Sequence, residues 1–310
     1  MTIGVAASGP RAGAAVRAAV LGAELLGRGA IGGFAVMAIL DAQGELHHRV
    51  TQKGGVGQLG IPSAWLDARV AAMISSGPDR PEPLVQFLPG ASQLGLVTGH
   101  RLPNRAGQDG APLNQAVLDR LAAGQGPQDA INEVLAAHAE VDAGLIAVTA
   151  NGALGWGNSA RVGRRPDQGA AQRIDATGRL ALLHNSIFAE QSADLSERLA
   201  ELAWSHLHER AEAWQFLRLT RGVPILAAAR DCVHVDENGD IVRLESADPH
   251  VPSLNRRATV VYLGAEVRRD GELLGHVATE LYADLGDGIA APLTELAQHT
   301  LLMRTDDVAT

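Results

Sequence analysis

The chain is short of the residues that build several common kinds of site. A single cysteine, Cys232, leaves no partner for an internal disulfide and no cysteine cluster for a structural zinc, which points to a reducing compartment. Lysine occurs only at Lys53, so Schiff-base chemistry on a lysine is excluded everywhere else. Aromatic residues make up 3% of the sequence, too few for the stacking platforms that hold single-stranded nucleic acid. The formal net charge of -9 argues against a basic surface facing phosphates. No apolar run approaches the roughly 18 residues that cross a bilayer, and the opening MTIGVAASGPRAG has no basic segment followed by an apolar run. These absences lead to the expectation of a cytoplasmic protein with a small-molecule partner, no nucleic acid and no membrane.

What is present is aliphatic: 46% of the 310 residues are hydrophobic, most of them Ala, Leu, Val and Ile. That is ample for a core of helices packed on sheet, in one large or two ordinary domains. IGVAA (residues 3–7) reads as a buried strand closed by SGP, and RAGAAVRAAVLGAELL (11–26) as a helix stopped by GRGAIGG. Phe34 to Leu40, the turn DAQG and Glu45 to Gln52 form a hairpin. Pro62 to Ile74 reads as a helix with proline in its first turn. Helices follow at Leu113 to Ala123 and Pro127 to Ala137. A second hairpin pairs Gly144 to Thr149 with Ala153 to Ser159 across Asn151 and Gly152. Gly178 to Phe188 is a further strand, and Ser192 to Trp214 a long amphipathic helix. From about Leu217 short β-type runs dominate, with a last helix near Pro292 to Leu302. The expected organisation is α+β: residues 1–215 as helices covering antiparallel sheets, and 216–310 as a smaller α+β subdomain.

Some of these residues resemble a known superfamily. HAEVDAGLIAVTANGALGWGNSA resembles the GGLIAVD-containing segment of plant-type asparaginases and isoaspartyl peptidases, which are N-terminal nucleophile (Ntn) hydrolases. The longer run AVLDRLAAGQGPQDAINEVLAAHAEVDAGLIAVTANGAL is similar to an uncharacterised Ntn-hydrolase-like family, and the likeness covers roughly the first two thirds of the chain. It implies an αββα layered sandwich and, in active members, amide hydrolysis by an N-terminal Thr, Ser or Cys whose own α-amine is the base. Laying FAVMAILDAQGEL on the asparaginase strand that begins with the nucleophile puts Phe34 where its Thr stands, so that cleavage site is missing. The other candidate is Thr2, which removal of Met1 would expose at the head of the first strand.

Chemistry concentrates in GLVTGHRLPNRAGQDG (95–110). Here Thr98 and His100 are catalytic candidates beside Thr2, and Arg101 and Asn104 are candidates for holding an acidic amide. The plainer reading is an ordered loop in which Asp109 or Asn114 caps the next helix. GNSARVGRR adds Asn158, Ser159 and Arg161, and LLHNSIF adds His184 and Asn185 in a strand, with a satisfied core network as the alternative. GRGAIG (27–32) and GVGQLG (55–60) match the dinucleotide pattern G-x-G-x-x-G. The first lies between helix and strand in the wrong order, and Pro62 interrupts the junction after the second. His206 and His208 lack a second ligand pair, and no G-x-S-x-G elbow occurs. The expectation is therefore a cofactor-free, metal-free amidohydrolase of small polar or acidic metabolites, assembled as a homo-oligomer. The competing expectation is a catalytically silent Ntn-like ligand-binding or accessory subunit.

Overall fold

In the computed structural model the chain divides into two units, Met1–Arg210 and Ala211–Thr310. Residues 1–107, 110–189, 195–209, 214–293 and 299–305 are described. Asp109 lies outside them.

The first unit runs β1 (Thr2–Ser8), α1 (Ala12–Leu26), β2 (Ala35–Leu40), β3 (Leu46–Thr51), β4 (Val70–Ser76), β5 (Gly90–Ala91), β6 (Gly95–Arg101), α2 (Leu113–Ala122), α3 (Pro127–Ala137), β7 (Ala143–Thr149), β8 (Leu154–Asn158), α4 (Ala160–Gly163), β9 (Gln168–Ile174), β10 (Arg179–Asn185) and α5 (Leu195–His208). A six-stranded sheet has the order β3-β2-β4-β1-β10-β9, all pairs antiparallel, and a four-stranded sheet the order β5-β6-β7-β8. Both faces of β1 are buried, so its side chains divide by alternation: Thr2, Gly4, Ala6 and Ser8 on one face, Ile3, Val5 and Ala7 on the other. The Gly4 face looks at the second sheet, because a Cβ on Gly4 would overlap the carbonyl of Gly99 in β6. Ala6, Val36, Ile74 and Leu183 from the first sheet meet Leu96, Ile146 and Val148 from the second in a shared core. Val117, Leu118, Ile131 and Val134 of α2 and α3 cover the outer face of the second sheet through Val97, Leu145 and Ala147. Helices α1 and α5 pack on each other and on the first sheet. The result is an α+β fold with αββα layering.

Several elements of the first unit differ from the pattern expected of the sequence. Residues 62–74 are a 3-10 turn at Ser63–Asp67 followed by β4, rather than one helix. VAAMISS is buried along its whole length between β1 and β2, and a continuous apolar run carries no period by which strand and helix can be told apart. Strand β9 was not anticipated; half-exposed QGAAQRI is recruited by pairing with β10. Helix α5 ends at His208, and Trp214 opens a strand instead. Asn114 lies inside α2, where its side chain donates to Gln86 O at 2.8 Å rather than capping the helix.

The second unit contains β11 (Trp214–Arg218), β12 (Val223–Ala227), β13 (Cys232–Val235), β14 (Ile241–Ser246), β15 (Arg257–Val261), β16 (Glu266–Arg269), β17 (Glu272–Val277), β18 (Leu281–Gly286), β19 (Ile289–Ala291) and β20 (Thr300–Thr305). Their order is β11-β20-β17-β16-β13-β14-β12-β19-β18-β15, around a core that includes Leu217, Val233, Leu244, Val267 and Leu301. Among the described residues this unit has no α-helix, and residues 294–298, inside the expected last helix, lie outside them. Thr300 to Leu302, expected at the end of a helix, belong to β20 because that strand is hydrogen-bonded between β11 and β17. Among the described residues no helix is long and apolar enough to cross a membrane.

Candidate functional site

Strand pairing lines up polar residues at one end of the sandwich. Ser76, Thr2, Asn185 and Gln168 occupy one register line across β4, β1, β10 and β9, so their side chains share the face that looks at the second sheet. On the second sheet His100, Gly144 and Asn158 are in register across β6, β7 and β8. Two polar rows thus face each other, and a hydrogen bond ties them: Asn158 Nδ2 donates to Gln168 Oε1 at 2.7 Å. His100 Nε2 stands 2.8 Å from Asn158 Oδ1 and so must carry the proton, which leaves Nδ1 as a buried acceptor without a partner among the described residues. Burial, more than any neighbouring charge, pushes the His100 pKa down to about 4. His100 is therefore neutral and wholly enclosed, and its contact holds Asn158.

In front of the rows lies a cavity of about 110 Å³. Its polar wall is Thr2, Ser76, Arg80, Arg101 and Asn104, and its apolar wall includes Phe34 and Phe87, whose rings meet edge-on at 5.0 Å. The Ser76 hydroxyl donates to Met1 O at 2.7 Å and accepts from Arg80 Nη2, so at 3.2 Å the Thr2 hydroxyl is the donor to Ser76 Oγ. Burial, followed by the charges of Arg80 and Arg101, holds the Met1 α-amine below its ordinary pKa.

The two arginines are differently committed. Arg101 grips Asp142 bidentately, Nε to Oδ1 at 2.5 Å and Nη2 to Oδ2 at 2.7 Å, and its Nη1 lies 3.8 Å from Asp167 Oδ2. Asp167 also accepts from Arg165 Nε at 2.9 Å and from Ser186 Oγ at 2.5 Å. Both carboxylates sit below the ordinary aspartate range, Asp142 because of its hydrogen bond from Arg101 and Asp167 because of Arg165 and then Ser186. Arg80, by contrast, has no carboxylate partner among the described residues. Its guanidinium donates to the Ser76 hydroxyl beside Thr2. Arg101 (φ 63°) and Ser186 (φ 54°) are both left-handed, and both contact Asp167.

Residues 2–216 match the model of a family described as Domain of unknown function (DUF6963). The chain belongs to that family. Residues 222–298 match a second model, Domain of unknown function (DUF7259). No curated protein matches the sequence. Among solved structures, glutamine phosphoribosylpyrophosphate (PRPP) amidotransferase from B. subtilis, complexed with ADP and GMP, is similar at a TM-score of 0.32 and 7% identity. The likeness covers 59% of this chain and 41% of that one, so the DUF6963 chain spans less than half the length of that neighbour.

Of the residues singled out in the DUF6963 sequence, Thr2, Arg101 and Asn104 line the cavity, and His100, Asn158 and Asn185 stand in the rows behind it. Four lie elsewhere. Thr98 is fully buried, with Oγ1 3.5 Å from Met73 O. Ser159 caps α4, accepting from Val162 N and donating to Val141 O. Arg161 borders a separate cavity with Arg105 and Glu140. His184 points to the opposite face of its sheet, 2.9 Å from Ser196 Oγ of α5. Ser76 and Arg80, on the cavity wall, and Asp167, beside Arg101, are not marked in the sequence. Ser76 follows a segment whose pattern predicts a helix and Arg80 sits in GPDRPEP, which reads only as a connection; neither carries a local signal.

Proposed function

We propose that the first unit hydrolyses the amide bond of a small, negatively charged metabolite, with Thr2 as nucleophile once Met1 has been removed. One observation carries the reading: the Thr2 hydroxyl, at the head of a central strand, opens on the same cavity as Arg80, which has no carboxylate partner among the described residues. A freed α-amine on Thr2 would share the surroundings that already depress the Met1 amine, and an amine neutral at working pH can act as the base. The amine takes the Thr2 hydroxyl proton as Oγ1 attacks the amide carbon. The same proton passes to the leaving amine when the C–N bond breaks, and water then cleaves the resulting ester. Arg80 provides the counter-charge for the substrate's acidic group, and the Phe34–Phe87 wall accommodates its carbon skeleton.

A silent, ligand-binding role is favoured by one contact, the Ser76 hydroxyl bond that clamps the Met1 carbonyl over Thr2. Two measurements separate the readings. Intact mass of the purified chain should be lower by one methionine residue, and ammonia or amine release from a panel of acidic amides should fall by at least about three orders of magnitude in Thr2→Ala. Thr2→Ser should retain activity, and Arg80→Ala should raise KM for the acidic amides above that for neutral ones. A chain that keeps Met1 and releases nothing from any amide, yet still binds acidic amides, would establish the silent role.

A further inference from the structure

Independently of the cavity around Thr2, the second unit gathers a cysteine, a histidine and a carboxylate on one sheet face. Strand β13 runs between β14 and β16, and Cys232 stands opposite Glu245 on the first and Glu266 on the second. His234, two residues along, shares the face of Cys232. One ligand atom from each of Cys232, His234 and Glu245 lies within 4.8 Å of the others. Thiolate, imidazole and carboxylate ligands around a tetrahedral zinc are about 3.3–3.6 Å apart, given bonds of about 2.0–2.3 Å. His234 Nε2 already stands 3.1 Å from Glu245 Oε1, so a side-chain adjustment of at most about 1.5 Å would bring the three to bonding distance.

A positive group already stands at this point. Arg243 Nη2 is 3.0 Å from His234 Nε2 and 3.0 Å from Glu245 Oε1. Its position leaves Arg243 Nε buried without a hydrogen-bond partner among the described residues, a strained way to hold a guanidinium. The Arg243 side chain is 42% exposed and can swing outward, which would relieve that donor while an ion takes over the charge. Over Cys232 and Glu245 opens a cavity of about 270 Å³, lined also by Arg230, Glu266 and Arg268, with room for a fourth ligand. Arg268 Nε donates to Glu266 Oε2 at 2.7 Å and Arg230 bonds the other oxygen, which keeps that carboxylate from competing for the ion.

We propose that Cys232, His234 and Glu245 form a zinc site whose fourth position faces this cavity. One soft sulfur with one nitrogen and one oxygen favours Zn²⁺ over Mg²⁺ or Ca²⁺, which want oxygen alone. The test uses the full chain, stripped with a chelator and titrated with Co²⁺ alone. One equivalent should bind, with a thiolate-to-cobalt charge-transfer band in the near ultraviolet that one equivalent of Zn²⁺ abolishes and excess Mg²⁺ does not. Cys232→Ser should lose the band, and His234→Ala should weaken Co²⁺ binding by at least about 10-fold. Because Cys232 is buried, His234→Ala, at a partly exposed position, serves if Cys232→Ser fails to fold. Arg243→Ala should bind at least as tightly as the parent chain. Absence of a band at one equivalent, or a band unchanged in His234→Ala, would overturn the site.

Discussion

Gly4→Ala is expected to destabilise the first unit by roughly 3 kcal/mol or more, the upper end of the range for overpacking, because the obstruction is backbone. The added Cβ would overlap the Gly99 carbonyl oxygen and lie 2.6 Å from its carbon and 2.9 Å from the Gly99 Cα. Both residues are in central strands of their sheets, so relief requires the two sheets to separate. That separation would also draw apart the row of Ser76, Thr2, Asn185 and Gln168 from the row of His100 and Asn158, and would stretch the Asn158–Gln168 bond. A loss of about 3 kcal/mol lowers the melting temperature by about 6–12 °C in a unit of this size. Far-UV circular dichroism reads it directly, since every α-helix among the described residues belongs to this unit. Gly163→Ala is the control: its Cβ would meet nothing within 4 Å, and alanine suits a helix better than glycine. If Gly4→Ala melts within about 2 °C of the parent chain, the close approach of the sheets is wrong.

Acidification should destabilise the same unit before its carboxylates of ordinary pKa are protonated. His100, His184 and His206 are each pushed down to about 4 from an ordinary 6.5, chiefly by burial; for His206 the charges of Arg17 and Arg11 add to it. Between those two values the unfolded chain binds protons at these positions and the folded chain does not. Stability therefore rises with pH through this window and is withdrawn on acidification, by up to about 3 kcal/mol per histidine. Glu24 acts in the opposite sense. Enclosure raises its carboxyl from 4.5 to about 7, despite hydrogen bonds from Ser75 Oγ and Val56 N, so the folded state holds the extra proton there and loses stability as pH rises. Three histidines outweigh one glutamate, and the urea midpoint of the helical signal should fall steadily from pH 6.5 to 4.5. His184→Asn should flatten that slope, and Glu24→Gln should steepen it. A midpoint constant or rising toward pH 4.5 would remove the buried neutral histidines from the account.

Much of the fold could be read from local pattern. The first strand, α1, both hairpins, α2 and α3 follow from apolar period and turn residues, and the structure has them within a residue or two. What failed was decided at longer range. VAAMISS becomes a strand because β1 and β2 flank it, QGAAQRI because β10 offers an edge, and the residues before Thr305 because β11 and β17 enclose them. The site divides in the same way. Polar residues in GHRLPN and in HN of β10 stand out locally, which is how Arg101, Asn104, His100 and Asn185 were found. Nothing in the neighbourhood of Ser76 or Arg80 marks either one, since what matters about them is that β4 ends beside Thr2.

By itself the sequence determined an aliphatic α+β chain without a disulfide, with its polar chemistry at strand ends. Alternation and turn propensity are properties of neighbouring residues, and they survive without knowledge of the partner strand. Tertiary structure alone decided which of those polar groups meet. Register across β4, β1, β10 and β9 sets Thr2 between Ser76 and Asn185, and strand alternation turns His184 away from its neighbour Asn185. The Gly4–Gly99 approach brings the second row within hydrogen-bonding reach. The place of Thr2 is fixed by its pairings with Ser76 and Asn185, far away along the chain, and no local pattern encodes them.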